Sequence, residues 1–189
     1  MVTNSKYESR DVIRARIINT TLELLLTHSP GDLTLRQIAA SAGCHHPDIP
    51  TYFGGKAGLY REVFPHAVAT MAARGLPQTF DKPSSTLTRL IRLAAWLEDD
   101  DSGYLASVDA RSLFDVLTET YVKRFNLSTD TARLLVQRLM ALVIAAVLHP
   151  KSIGLREHQF AEHFALETHI AELLAQSQAN AAPLDSRGN

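Results

Sequence analysis

The sequence predicts an all-α protein of about nine helices, with a three-helix helix-turn-helix module at the N-terminus and a helical bundle after it. Every strong apolar periodicity in the 189 residues is helical, and no alternating strand pattern stands out. Residues 33–59 have the spacing of two short helices joined by a tight turn. Apolar residues make up 46% of the chain and charged residues 21%, a composition that indicates a packed globular core.

Breakers and polar stretches separate the predicted helices. An apolar stripe from Ile13 to Leu24 marks a first helix, which ends before the Ser-Pro-Gly sequence at 29–31. Short helices are expected over 35–42 and 45–52, and a longer one over 56–74, which Pro65 interrupts as a kink or a hinge. The later helices are expected over 87–97, 113–125, 129–149 and 156–178.

Charge and cysteine content restrict the partners and the compartment. The single cysteine, Cys44, excludes an internal disulfide and suits a reducing cytosol. No signal-peptide pattern is present, and the longest apolar run, 139–148, is too short to cross a bilayer. We therefore expect a soluble, cytoplasmic protein without a membrane partner.

The charge is distributed unevenly along the chain. Residues 1–75 hold eight basic and six acidic residues, whereas the remainder holds eleven basic and fourteen acidic residues. A nucleic acid, if bound, would therefore contact the first part.

The segment 33–59 has the local chemistry of a helix-turn-helix. Thr34 can cap the first short helix, and Gln37 three residues later completes a capping box. Gly43 falls where that helix must end, at a sharp turn that needs positive φ. Ile49 and Tyr52, three residues apart, would seat the second helix on the first. A second helix of this kind enters the major groove in DNA-binding proteins.

The sequence AGCHHPDIPTYFGGKAGLYREVF resembles the signature of the TetR/AcrR family of transcriptional regulators, over about residues 10–65. The resemblance implies a homodimer that binds a double-stranded DNA operator and responds to a small-molecule effector. It also implies four parts: a DNA-binding domain at 1–55, a linking helix at 56–75, a ligand-binding and dimerisation domain at 76–178 and a mobile tail at 179–189. The matching positions are Ile38, Ala39, Ala42, Gly43, Ile49, Tyr52, Phe53, Lys56 and Leu59.

The resemblance also implies two sets of DNA contacts. Base contacts would come from the second short helix, through His45, His46, Asp48 and Thr51. Phosphate contacts would come from Thr34, Arg36, Tyr52 and Lys56. Lys56 lies at a predicted helix N-terminus, where main-chain amides favour an anion.

Three residues depart from the family pattern in the second short helix. His45 stands where a serine cap is frequent, and imidazole is a poorer cap. Pro50 stands where the family usually has tyrosine, and it would delete an amide hydrogen bond to the carbonyl of His46. Asp48 repels phosphate unless it reaches a cytosine amino group. These departures predict a distorted or shortened recognition helix with an atypical operator preference.

The C-terminal part carries the predicted effector and dimer contacts. Residues 139–148 are apolar on every side, and the last helix has two apolar strips, which is more than one intramolecular face requires. The predicted dimer interface is formed by Leu139, Leu142, Val143, Ala146, Phe164, Ile170 and Leu174. The predicted effector pocket, whose members would each also suit an ordinary core, is formed by Trp96, Tyr104, Phe114, Tyr121 and Met140.

Two functions remain after this reading. The first is a repressor released from a palindromic operator by a small organic effector. The second is a small-molecule-binding helical protein whose DNA binding is lapsed or atypical. An enzyme is not expected, because no phosphate loop, nucleophile elbow or metal-ligand spacing is present. We expect no cofactor and no metal. The adjacent His45 and His46 do not converge on one ion, and the acidic run 99–101 reads as a hydrated helix end.

Overall fold

The computed structural model describes residues 9–74, 83–101, 103–107, 111–156 and 159–181. These residues form nine α-helices and no strand, which confirms the predicted fold class. The helices are α1 (Arg10–Leu24), α2 (Leu35–Ala42), α3 (Asp48–Phe53), α4 (Lys56–Arg74), α5 (Ser85–Asp100), α6 (Tyr104–Ser107), α7 (Arg111–Phe125), α8 (Thr129–Leu148) and α9 (Gln159–Ala181).

The chain packs as two compact units. The first contains α1–α3, α4 as far as Met71, and α5–α6, and the second contains α7–α9. The sequence instead divided the chain after residue 75. Residues 75–82 lie outside the described part of the chain, so that division stays a prediction. Most of the predicted tail also lies outside it, although α9 extends through Ala181.

The first unit is held together by an apolar core and by polar ties between its helices. The Tyr60 ring meets the Trp96 ring edge-on, with centroids 4.9 Å apart, and this contact joins α4 to α5. The Tyr60 hydroxyl donates to the carbonyl of Pro30 at 2.9 Å. The Arg89 guanidinium donates to the carbonyl of Leu22 at 2.6 Å and so ties α5 to α1. The largest fully buried aliphatic residues of the first unit are Ile17, Leu33, Ile38, Ile49, Leu59, Val63, Leu93 and Leu97.

The second unit is built around α8. Ser128 caps this helix by accepting a hydrogen bond from the amide of Thr131, and α8 packs against both α7 and α9. By length and composition alone α8 could cross a membrane, and 28% of its apolar window is buried within the chain. Core and interface helices of soluble proteins have the same composition. The large apolar residues of α8 that remain exposed are Leu134 and Ile144.

Candidate nucleic-acid interface

The predicted cap and turn of the helix-turn-helix are confirmed. The Thr34 hydroxyl accepts a hydrogen bond from the amide of Gln37 at 3.2 Å, and the Gln37 side chain accepts one from the amide of Thr34 at 2.9 Å. Gly43 ends α2 with φ of +61°, a left-handed conformation that glycine adopts without strain. The Cys44 amide then donates to the carbonyl of Ala39, which closes the last turn of α2.

The second short helix is shorter than the predicted range 45–52. It begins at Asp48 and ends at Phe53, so His45 and His46 lie in the turn before it. Pro50 is therefore in the first helical turn, where main-chain amides have no helical acceptor. The expected loss of a hydrogen bond to the His46 carbonyl does not break the helix, because the helix begins after His46. The shortening was predicted correctly, and no distortion is needed to accommodate Pro50.

Asp48 has a local role that the sequence did not suggest. Its Oδ2 accepts a hydrogen bond from the amide of His45 at 2.9 Å, which reproduces one half of a capping box across the turn. The Cys44 thiol beside it is half-buried, and its pKa is raised, first by burial and then by the charge of Asp48. A raised pKa favours the protonated thiol, which is a weak nucleophile. Cys44 therefore fits a packing role.

Arg14 of α1 fixes the far end of α3, and the sequence reading missed it. Its guanidinium donates to the main-chain carbonyl of Tyr52. It also donates to both carboxylate oxygens of Glu62 on α4, at 2.6 and 2.5 Å, and lies over the Phe53 ring at 4.6 Å from the centroid. One side chain thus connects α1, α3 and α4. A single arginine on the polar side of a helix carries no signal of such contacts in the sequence.

Gly58 was also missed, although it stands between two matched positions of the family signature. A Cβ at this position would lie 1.7 Å from the carbonyl oxygen of Phe53. Only glycine allows α4 to start this close to the end of α3. A glycine in the interior of a helix costs about 1 kcal/mol of helix propensity. Its presence inside a predicted helix could therefore have indicated a close approach of another part of the main chain.

The predicted phosphate-binding residues lie in different environments. Thr34 and Arg36 are exposed at the start of α2. Tyr52 is half-buried, with the Arg10 guanidinium 5.2 Å from its ring centroid. The Lys56 ammonium donates to the carbonyl of Gly31 at 2.9 Å, and burial lowers its pKa while nearby Asp32 opposes the shift. Lys56 therefore stabilises the fold itself, and two of its three donors remain for another acceptor.

The predicted base-contacting residues differ in what they leave exposed. His45 and His46 are exposed in the turn. Asp48 is half-buried and holds the His45 amide. Thr51 is exposed, and its hydroxyl donates to the carbonyl of Pro47 at 2.7 Å. Contact of these residues with DNA stays a prediction.

The five predicted pocket residues are divided between the two units. In the first unit, Trp96 is half-buried and Tyr104 is buried. In the second, Tyr121 is buried, with its ring centroid 5.2 Å from that of Phe125, while Phe114 and Met140 are half-buried. The effector pocket stays a prediction. Within the described residues, no group of three or more histidine, cysteine and acidic side chains could hold a metal ion.

The predicted dimer residues divide between core and surface. Leu139 and Val143 are 5% and 3% exposed and belong to the protomer's own core. Leu142, Ala146, Phe164 and Ile170 are half-buried, and Leu174 is 37% exposed. The sequence did not select the more exposed apolar residues of α8 and α9, which are Leu134, Ile144, Leu166 and Leu173.

Comparison with known proteins concerns the fold. No family model matches the chain. No curated protein matches it either. A TetR-family transcriptional regulator from Streptomyces coelicolor is 17% identical, with 93% of this chain and 91% of that chain covered at a TM-score of 0.52. The TetR-family repressor AlkX from Dietzia sp. strain DQ12-45-1b is 15% identical, with 91% and 99% covered at a TM-score of 0.48. The chain thus has the fold of a TetR-family transcriptional regulator, as the resemblance predicted.

Proposed function

We propose that this protein is a ligand-responsive transcriptional repressor that binds a palindromic operator as a homodimer and is released by a small organic effector. The observation that carries the proposal is the helix-turn-helix itself. α2 is capped by Thr34 and closed by Gly43, and α3 is packed through Ile49 and Phe53 while its opposite side faces solvent. A short helix held in this way and exposed on one side can enter a major groove.

Polar side chains that suit phosphate lie on the helices before and after α3 in the chain. Arg36 and Thr34 lie exposed at the start of α2. Lys56 opens α4, the next helix after α3. Such contacts fix the position and register of a protein on DNA without reading its sequence. They support DNA binding whose strength falls as salt rises.

The second unit supplies the surface for the proposed dimer. On α9 one apolar strip, at positions 166, 170, 173 and 174, faces away from the protomer's core. Its residues Leu166 and Leu173 are 53% and 50% exposed. On α8 Ile144 is 40% exposed. Pairing of these strips around a twofold axis would need to bury roughly 800 Å² on each partner. A twofold dimer places its two α3 helices one or two DNA turns apart, which requires a palindromic operator.

The effector acts in this proposal by shifting a population of conformations. It binds more tightly to the state whose two α3 helices no longer match the groove spacing, and only this difference in affinity releases DNA. AlkX is described as a repressor implicated in n-alkane biodegradation, and no effector for the present chain follows from that description.

The decisive experiment is a gel shift and footprint on DNA flanking the protein's own gene at several salt concentrations. The repressor predicts protection of a palindromic site and an affinity that falls linearly on a logarithmic salt scale. Binding that does not distinguish this site from random DNA would contradict it. If organic compounds nevertheless raised the melting temperature, the second candidate, a ligand-binding helical protein without operator recognition, would be favoured. Its support is the short α3 and the engagement of Asp48 within the turn.

A further inference from the structure

The solvent face of α3 has an unusual composition for a DNA-reading helix. Pro47, Pro50, Thr51 and Gly54 are all exposed, and their spacing of three and four residues places them on one face. Ile49 and Phe53 lie on the opposite face and are buried, at 0% and 8% exposure. The face that would meet a groove therefore consists of two proline rings, one threonine and one glycine.

The side chains on this face leave no hydrogen-bond donor free, and only the Thr51 oxygen can still accept. A proline side chain has neither a donor nor an acceptor, and its nitrogen carries no hydrogen. The Thr51 hydroxyl already donates its proton to the Pro47 carbonyl at 2.7 Å. The carboxylate of Asp48, the first residue of α3, is half-buried and accepts a hydrogen bond from the His45 amide at 2.9 Å. What Pro50 and Thr51 turn outward is mainly carbon.

In the major groove a protein reads bases either by hydrogen bonds to their edges or by apolar contact with the C5-methyl group of thymine. We propose that Pro50 and Thr51 read thymine methyl groups in each operator half-site, while hydrogen-bonded readout falls to His45 and His46 in the turn. This inference rests on the proposed function, because it presupposes operator binding.

Two physical features favour this mode of reading. Burial of a proline ring costs no side-chain conformational entropy, so its contact with a methyl group is not offset by ordering. Pro50 also lies in the first turn of α3, where the ring removes no helical hydrogen bond. Pro50, which the sequence predicted to distort or shorten the recognition helix, thus provides its apolar contact with bases.

The test removes single methyl groups from the operator. The full chain first selects its binding sequence from a pool of random duplexes. Dissociation constants are then measured on duplexes in which one thymine at a time is replaced by uracil, which lacks only the C5-methyl group. Transfer of one methyl-sized group from water is worth about fourfold in affinity. We expect one or two thymines per half-site to show a loss of that size on replacement.

Variants assign the effect to the helix face. In Pro50→Ala the ratio of uracil to thymine dissociation constants at the sensitive position should approach one. Pro150→Ala is the matched control, because Pro150 is an exposed proline in the turn after α8, and it should keep the wild-type ratio.

The outcomes separate the two proposals. A selected operator whose every thymine tolerates uracil would overturn this inference and leave the repressor proposal standing. The wild-type measurement decides this even if Pro50→Ala fails to fold. A methyl effect that persists unchanged in a folded Pro50→Ala variant would overturn the assignment to Pro50. Failure to enrich any sequence would overturn the proposed function, and this inference with it.

Discussion

The hydroxyl of Tyr104 donates a hydrogen bond of 2.8 Å to the main-chain carbonyl of Arg61. Pro65 stands four residues after Arg61 inside α4 and has no amide hydrogen to donate to that carbonyl. Tyr104, the first residue of α6, thus supplies the donor that the proline removes. The Arg61 guanidinium also pairs with Asp100 at 3.1 Å and with Asp101 at 3.5 Å. The acidic end of α5, read from the sequence as hydrated, is therefore partly neutralised by α4.

Removal of the Tyr104 hydroxyl should destabilise the protein in a way that depends on Pro65. Tyr104→Phe leaves the part-buried Arg61 carbonyl without this donor, and loss of such a hydrogen bond costs about 0.5–1.5 kcal/mol. Pro65→Ala restores an amide at the helical position, so Tyr104→Phe should cost clearly less in that background. Urea unfolding of the wild type, both single variants and the double variant measures the coupling. Equal costs of Tyr104→Phe in both backgrounds would show that the two residues act independently.

The close approach at Gly58 should make this position intolerant of any side chain. Gly58→Ala places a Cβ where the Phe53 carbonyl oxygen now lies, and main-chain atoms must move to relieve the overlap. We expect a loss of about 3 kcal/mol or more, the upper end of the range for overpacking. Gly31→Ala is the control, since a Cβ there meets no atom within 4 Å and the position does not require positive φ. Thermal unfolding compares the two variants, and equal melting temperatures would contradict the close approach.

Local features were predictable from the sequence, and long-range ones were not. The cap at Thr34 and the turn at Gly43 depend on residues at most five apart, so the chain encodes them directly. The effect of Pro50 depended on where α3 begins, and helix boundaries vary by one or two residues even in known structures. Arg14 binds Tyr52 and Glu62, which lie 38 and 48 positions further along the chain. No local sequence pattern indicates contacts at such a separation.

The side of α8 that faces the core could not be predicted from the sequence, for a different reason. A helix that is apolar on every side has no periodicity to indicate which side faces the core. The sequence therefore assigned Leu139 and Val143 to the partner, whereas the protomer's own core holds them. The outward side of α9 could be predicted better, because Ile170 and Leu174 lie on the strip that also contains Leu166 and Leu173.

Substitution of two basic residues, Arg36 and Lys56, should weaken DNA binding in distinguishable ways. Arg36 is exposed, so Arg36→Ala should lower affinity without changing the melting temperature. Loss of one phosphate contact in each protomer should reduce the slope of log affinity against log salt by about 1.8 for the dimer. Lys56→Met should lower affinity and also stability, because the Lys56 ammonium donates to the Gly31 carbonyl. Titrations at several salt concentrations, with melting curves alongside, test both statements. An unchanged salt slope in Arg36→Ala would remove Arg36 from the phosphate contacts.

Two glutamate substitutions should separate folding from dimer formation in the second unit. Leu173 is 50% exposed on the outward strip of α9, so Leu173→Glu should fold and yet place an unpaired carboxylate at the proposed interface. The cost of such a charge, about 3 kcal/mol or more, corresponds to at least about 100-fold weaker association. Val143 is 3% exposed within the protomer, so Val143→Glu should fail to fold at all.

Sedimentation and circular dichroism measure association and folding in the same samples. Leu26→Glu provides the control for a charge at an exposed leucine, because Leu26 is 45% exposed and lies in the first unit. It should leave both properties unchanged. A folded Leu173→Glu that associates as tightly as the wild type would place the interface elsewhere. Because two copies of α3 must reach one palindrome, a folded Leu173→Glu monomer should also bind the operator far more weakly than the dimer. Undiminished operator binding by that monomer would contradict recognition by a twofold pair.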